Sequence, residues 1–99
     1  MPGEMDLPDR FRALPGADLV EAGLSDLAAS RMSEAAALVL IGAANLRRLG
    51  LSVPEGVAEC PEHELYRLLH EQDQDSAHGR YNALLRRLVS FERAAECAA

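Results

Sequence analysis

The residues best suited to chemistry lie in the stretch from Cys60 to His78. Cys60 and His63 form a C-x2-H pair, which is half of the ligand set of a structural zinc site. Further along, His70 and His78 frame a polar segment that contains two aspartates. No second pair repeats the C-x2-H spacing, and a connector between helices needs aspartate and serine in any case. We therefore predict no bound metal and no cofactor, and the candidates to check are Cys60, His63, His70, Asp73, Asp75 and His78.

The same stretch holds one arrangement suited to nucleophilic catalysis. Cys60 precedes a predicted helix N-terminus, and His63 is close to it in sequence; a helix N-terminus and a nearby base are features that activate a thiol. The chain has no G-x-S-x-G motif or other recognisable oxyanion-binding sequence. We predict that the protein is not an enzyme. A metal-binding or thiol-dependent activity built on Cys60, His63, His70 and His78 is the first alternative.

The negative charge of the chain is concentrated in one segment. The whole chain has a net charge of −6, and residues 55–75 alone hold seven carboxylates against Arg67, which is also a net of −6. Two interpretations follow from this distribution. The acidic segment either meets the arginines of the last helix inside the fold, or it forms a surface that attracts a partner. Internal pairing is the more common outcome for a charge block this short.

All ten basic residues are arginines. Two similar segments, residues 44–50 and 83–89, each contain a pair of them. If these segments lay side by side, Arg47, Arg48, Arg86 and Arg87 would offer nucleic acid a basic patch. The negative net charge and the lack of aromatic residues among the arginines make nucleic-acid binding the second alternative rather than the first. The residues we expect on a protein-interaction surface are Arg80, Arg86, Arg87, Arg93, Glu62 and Glu64.

The elements that position these residues are predicted to be helices. Alanine (17 residues) and leucine (16 residues) make up a third of the chain, whereas there are five valines, one isoleucine and no threonine. That composition favours helix over strand. Caps and breakers divide the chain into five helices, at about Pro8–Leu14, Ala17–Ser30, Glu34–Leu49, Pro61 to the connector at 72–76, and from that connector to Cys97. Ser33 is the expected N-cap of the third helix, Gly50 is expected to end it, and Pro61 is expected to open the fourth.

The third helix is predicted to form the centre of the core. Every residue from Ala35 to Ala44 is apolar, which is typical of a helix covered on all sides. Gly42 within it is expected to let a neighbouring backbone approach closely. We predict an all-α fold, a compact bundle of four to five helices around the buried helix Glu34–Leu49. It forms a single domain over residues 8–97, preceded by a flexible segment, residues 1–7.

Two polar residues are predicted to be buried. Asn45 lies in the otherwise apolar third helix, and Glu92 projects toward the apolar side of the last helix. A buried carboxylate is costly unless it is paired. We therefore expect Glu92 to meet an arginine or the Tyr81 hydroxyl.

The cellular setting is predicted from what the chain lacks. The N-terminal sequence MPGEMDLPDR is acidic and has no apolar signal region. The ten-residue apolar run is far shorter than the roughly 20 residues that span a membrane, and two cysteines do not make a disulfide framework. We expect a soluble cytoplasmic protein that does not bind membranes.

The function we predict is that of a small protein–protein interaction or regulatory module. It would form a homo-oligomer, most simply a dimer, or bind a larger protein through its last helix, with the acidic segment steering the encounter. By analogy of size and charge alone, one such role is the neutralising partner in a two-gene toxin–antitoxin pair.

Overall fold

Helices supply all the regular secondary structure in the part of the chain that the structure describes. The computed structural model describes residues 7–55 and 60–98. Its helices are α1 (Asp9–Arg12), α2 (Ala17–Ala28), α3 (Glu34–Ile41), α4 (Ala43–Arg48), α5 (Pro61–Gln72) and α6 (Ala77–Ala98). No strand occurs among these residues, and the all-α prediction is confirmed. The Cα radius of gyration is 12.9 Å, close to the ~13 Å expected of a compact domain of this length.

The helix boundaries follow the capping residues that the sequence predicts. Ser33 precedes α3, and its hydroxyl accepts a hydrogen bond from the backbone N–H of Ala36. Gly50 follows α4 with a φ of 100°, the left-handed conformation that commonly ends a helix. Pro61 is the first residue of α5, where its missing N–H leaves no helical hydrogen bond unmade. All three predictions are confirmed.

The core is built around α3, as the apolar run predicts. Ala36, Ala37, Leu38 and Val39 have no exposed surface, because α2, α5 and α6 all pack against this helix. Burial on several sides explains why α3 lacks a polar face. Within residues 7–55 and 60–98, no helix combines the length and the apolar character needed to cross a bilayer.

The helix predicted over residues 34–49 is divided in two at Gly42. The hydrogen bonds from the Gly42 N–H to Leu38 and from the Leu46 N–H to Gly42 are kept, so the interruption is local. A Cβ at Gly42 would lie 2.9 Å from the Glu92 carboxylate and 3.0 Å from the Leu88 side chain. The close neighbours are therefore side chains of α6, and not the backbone that we expected. Glycine makes room for them but weakens the helix at this point.

Helices α2 and α3 approach each other closely at Gly23. A Cβ on this residue of α2 would lie 2.4 Å from the Ala35 carbonyl oxygen and 2.4 Å from Val39 Cγ2. A backbone oxygen cannot swing away as the end of a long side chain can, so only glycine fits here. The pattern of α2 alone gives no sign of this requirement, because it arises from the position of α3.

The N-terminal edge of the domain is anchored by two apolar contacts. The side chains of Leu7 and Phe11 are buried in the core, and the Phe11 ring packs edge-on against Phe91 with centroids 5.9 Å apart. Of the segment 1–7 that we expected to be flexible, residues 1–6 lie outside the described residues. Leu7 belongs to the core instead. Helix α1 ends at Arg12 and not at the predicted Leu14. Leu14 precedes Pro15, and the residue before a proline avoids the helical conformation for steric reasons.

Candidate interaction surface

Two arginines attach α6 to the rest of the bundle. The Arg80 guanidinium donates to the Glu34 carboxylate on α3 at 3.2 Å, and Arg87 donates to Asp18 on α2 at 3.1 Å. Both carboxylates lie outside the acidic segment 55–75. The expected pairing of that segment with the last helix is therefore wrong for these two arginines, because they lie on the side of α6 that faces α2 and α3.

Arg67 contacts two of the three glutamates of α5. Arg67 forms ion pairs with Glu64 and Glu71 on the same helix, each at 2.5 Å. Glu62 is exposed and has no arginine partner among residues 7–55 and 60–98; its carboxylate accepts a weak hydrogen bond from the Cys60 thiol at 3.8 Å. Glu62 is thus the glutamate of α5 that no arginine contacts in the part of the chain that the structure describes.

A cleft of about 640 Å³ separates α5 from the first half of α6. The Tyr66 ring lines this cleft and lies 5.6 Å from the Tyr81 ring and 6.3 Å from the His70 ring, centroid to centroid. Burial raises the pKa of the Tyr81 hydroxyl above its ordinary value, and the nearby charge of Glu62 adds to that rise. We call Glu62, Tyr66, His70 and Tyr81 the aromatic half of the surface.

The groove continues along α6 beyond Asn82, with a further volume of about 430 Å³. We call the residues that line this part the arginine half: Leu85, Arg86, Val89 and Arg93. Among the described residues, Arg86 and Arg93 are the two arginines that make no hydrogen bond, ion pair or ring contact. Both are exposed, so their guanidinium groups are available to a partner.

The aromatic and arginine halves form one surface, because Asn82 lines both the cleft and the groove. We call this surface the α5–α6 face. Tyr66, with 36% of its surface exposed, and Val89, with 42%, are the large apolar residues most exposed in residues 7–55 and 60–98, and each half contains one of them. Tyrosine and arginine are the residue types that dominate the binding energy of protein interfaces.

The structure separates the residues that we expected on an interaction surface. Arg86, Arg93 and Glu62 lie on the α5–α6 face without ion-pair partners in the described part of the chain. Three others are engaged within the fold, as described above: Arg80, Arg87 and Glu64.

The metal-site candidates are only partly brought together. Three of them line the α5–α6 cleft: His63, His70 and His78. Cys60 contacts Glu62, and in the connector the Asp75 N–H donates to the Asp73 carboxylate at 3.1 Å. In the part of the chain that the structure describes, no three histidine, cysteine or carboxylate side chains are placed to hold a metal ion.

Glu92 and Asn45 differ from the prediction that both are buried. The Glu92 side chain is half-buried, and its Oε2 atom is shielded from solvent with no hydrogen-bond partner among the described residues. Burial raises the pKa of Glu92 above its ordinary value of 4.5, and the Asn45 amide and then the Arg48 charge oppose that rise while Glu96 adds to it. Asn45 is exposed, so its predicted burial is wrong: α4 buries Ala43 and Leu46 instead.

The four arginines proposed for nucleic-acid binding do not form one patch. They are Arg47, Arg48, Arg86 and Arg87. The Arg47 guanidinium donates to the Val53 carbonyl oxygen at 2.9 Å, and Arg48 pairs with Glu96 at 3.6 Å. Arg87 is held by α2, as described above. Arg86 lines the α5–α6 face and, beside Arg87, a second pocket near Gly16, so these two lie together without Arg47 and Arg48.

Two residues central to this surface were not recognised in the sequence. Tyr66 has no predicted role, and Tyr81 is expected only as an alternative hydrogen-bond partner of Glu92. The available signal was the spacing of Tyr66 and His70, four residues apart, which places two rings on one side of a helix.

Comparison of the chain with family models, curated proteins and solved structures found no match.

Proposed function

We propose that this protein is a non-enzymatic protein-interaction module that binds its partner through the α5–α6 face. One observation carries the proposal: Arg86 and Arg93 have no described partner and flank an exposed valine, Val89, on a helix whose other arginines are paired. A protein partner would cover the apolar side chain and supply carboxylates or aromatic rings for the guanidinium groups.

The geometry around Cys60 supports an interaction role over catalysis. The described hydrogen-bond partner of the Cys60 thiol is the Glu62 carboxylate, whereas the activation of a thiol that we considered uses an imidazole. Cys60 and Cys97 are both free and exposed, which fits the reducing cytoplasm that we propose as the location. The toxin–antitoxin analogy gains no specific observation and stays a prediction.

The test is a matched pair of variants, Val89→Glu on the α5–α6 face and Ala22→Glu on α2. Both positions are exposed on helices, so each variant adds the same charge without disturbing the core. Circular dichroism checks that both fold, and light scattering and native mass spectrometry measure association of each chain with itself and with proteins that co-purify at native abundance. We expect the wild type and Ala22→Glu to associate and Val89→Glu to lose that association. Equal association of the three proteins, or none in any of them, would overturn the proposal.

A further inference from the structure

We infer that the partner on the α5–α6 face is a second copy of this chain, related by a two-fold axis near Asn82 that exchanges the aromatic half with the arginine half. The inference rests on the proposed function and specifies the partner. It follows from the complementary charges and side chains of the two halves, as the next paragraphs argue.

Charge is the first point of complementarity. The aromatic half contains Glu62, a carboxylate with no described arginine partner, and the arginine half contains Arg86 and Arg93, which have no described carboxylate partner. These groups lie on the same face but in opposite halves of it. A two-fold rotation brings the arginine half of each copy onto the carboxylate of the other, so each interface contains the complementary charges twice.

The uncharged parts of the two halves also match. Tyr66 and Val89 are the most exposed large apolar residues in the described part of the chain. They lie in opposite halves of the face, so we expect the rotation to bring the half that contains one onto the half that contains the other. A tyrosine ring is moreover a good surface for an arginine side chain, because its negative face attracts the guanidinium group. The exchange therefore covers both exposed apolar residues and gives Arg86 and Arg93 aromatic as well as ionic contacts.

The dimensions of the face follow from its two helices. Helix α6 has 22 residues, which corresponds to a length of about 33 Å at 1.5 Å per residue. Helix α5 lies beside it with 12 residues, and packed helices are about 8–10 Å apart. A standard interface takes ~800 Å² from each partner, so we expect the dimer to use most of the exposed length of both helices.

The experiment measures self-association by sedimentation equilibrium from about 10 µM to about 1 mM, the range of weak to moderate dimers. One variant reverses the carboxylate, Glu62→Arg, and another reverses the arginines, Arg86→Glu with Arg93→Glu. The control Asp9→Arg changes the net charge as Glu62→Arg does, at a fully exposed position of α1. We expect the wild type and the control to dimerise and each face variant alone to be weakened about tenfold or more, because like charges then face each other.

Mixing the two face variants is the decisive step. In the mixed dimer the new arginine of one chain meets the new glutamates of the other, and the native pair on the other side of the axis is intact. We expect the mixture to form a heterodimer about as tight as the wild-type dimer. Circular dichroism of each variant verifies that it folds, so a loss of association cannot be mistaken for unfolding.

The outcomes also separate this inference from the proposed function. A wild-type chain that stays monomeric over the whole range, or face variants that fail to combine while each dimerises normally, would overturn the second copy as partner. If a different protein then binds the wild type and Ala22→Glu but not Val89→Glu, the proposed function survives and only the identity of the partner is wrong.

Discussion

Glu92→Gln tests whether the fold holds a carboxylate where a neutral group fits better. The Oε2 atom of Glu92 is buried against Gly42 with no hydrogen-bond partner among the described residues. A buried acceptor without a partner costs about 1–3 kcal/mol. Glutamine keeps a polar atom at this position and removes only the charge, the side chain is only half-buried, and Asn45 and Arg48 favour the charged form. We therefore take the low end, about 1 kcal/mol. The variant should therefore unfold about 4–8 °C higher than the wild type at neutral pH.

The stability difference between Glu92→Gln and the wild type depends on pH, and the sign of that dependence follows from the pKa shift. The pKa of Glu92 in the folded protein lies above its ordinary value of 4.5, so the folded state binds the proton more tightly than the unfolded chain. The stability that this group contributes is fully present below about pH 4.5 and is lost as the pH rises through the folded pKa. Glutamine does not titrate, so its advantage should be small near pH 4 and largest near pH 7.

Urea unfolding followed by helical circular dichroism at both pH values measures the effect. The control is Glu71→Gln, which changes an exposed carboxylate paired with Arg67 on α5 and should alter the free energy of unfolding by less than about 0.5 kcal/mol. The reasoning is refuted if Glu92→Gln is no more stable than the wild type near pH 7, or if its advantage is the same at the two pH values.

Two further predictions concern the packing and capping of α3. Gly23→Ala should destabilise the protein by about 2–3 kcal/mol or more in urea unfolding, because overpacking of this size forces the backbone to move. The new Cβ would lie 2.4 Å from the Ala35 carbonyl oxygen. A variant as stable as the wild type would show that α2 and α3 are not in tight contact. Ser33→Ala should cost about 1 kcal/mol near neutral pH through loss of the cap. The Ser33 hydroxyl also donates a hydrogen bond to the Asp26 carboxylate and is the main cause of the lowered pKa of Asp26. Part of the loss in stability should therefore disappear as the pH falls below about 3.8. A loss in the free energy of unfolding that is constant with pH would exclude this contribution.

The sequence by itself determined the fold class and most helix ends, because the interactions responsible are local. Alanine and leucine favour helix one residue at a time, and the caps at Ser33, Gly50 and Pro61 act within a few residues of their own position. The apolar run of α3 also predicts its place in the core, since such a helix must be covered on all sides. These features require no knowledge of what packs against what.

The break at Gly42 and the close contact at Gly23 were decided by the tertiary structure. Each depends on atoms that are distant in sequence: Leu88 and Glu92 for Gly42, and α3 for Gly23. The exposure of Asn45 follows in the same way, because the direction that a residue of α4 faces depends on how that helix is seated on the bundle. A single helical pattern contains no information about the shape of the neighbour.

The candidate surface shows the same division most clearly. The sequence identified the arginines of the last helix as candidates for binding, because their number and type are evident from composition. Arg86 and Arg87 are adjacent in the chain, yet Arg87 pairs with Asp18 and Arg86 has no described partner. Successive residues of a helix point about 100° apart, since 3.6 residues make one turn. Which of the two meets α2, and which is left on the surface beside Val89, was therefore decided by the packing of α6 and not by the local sequence.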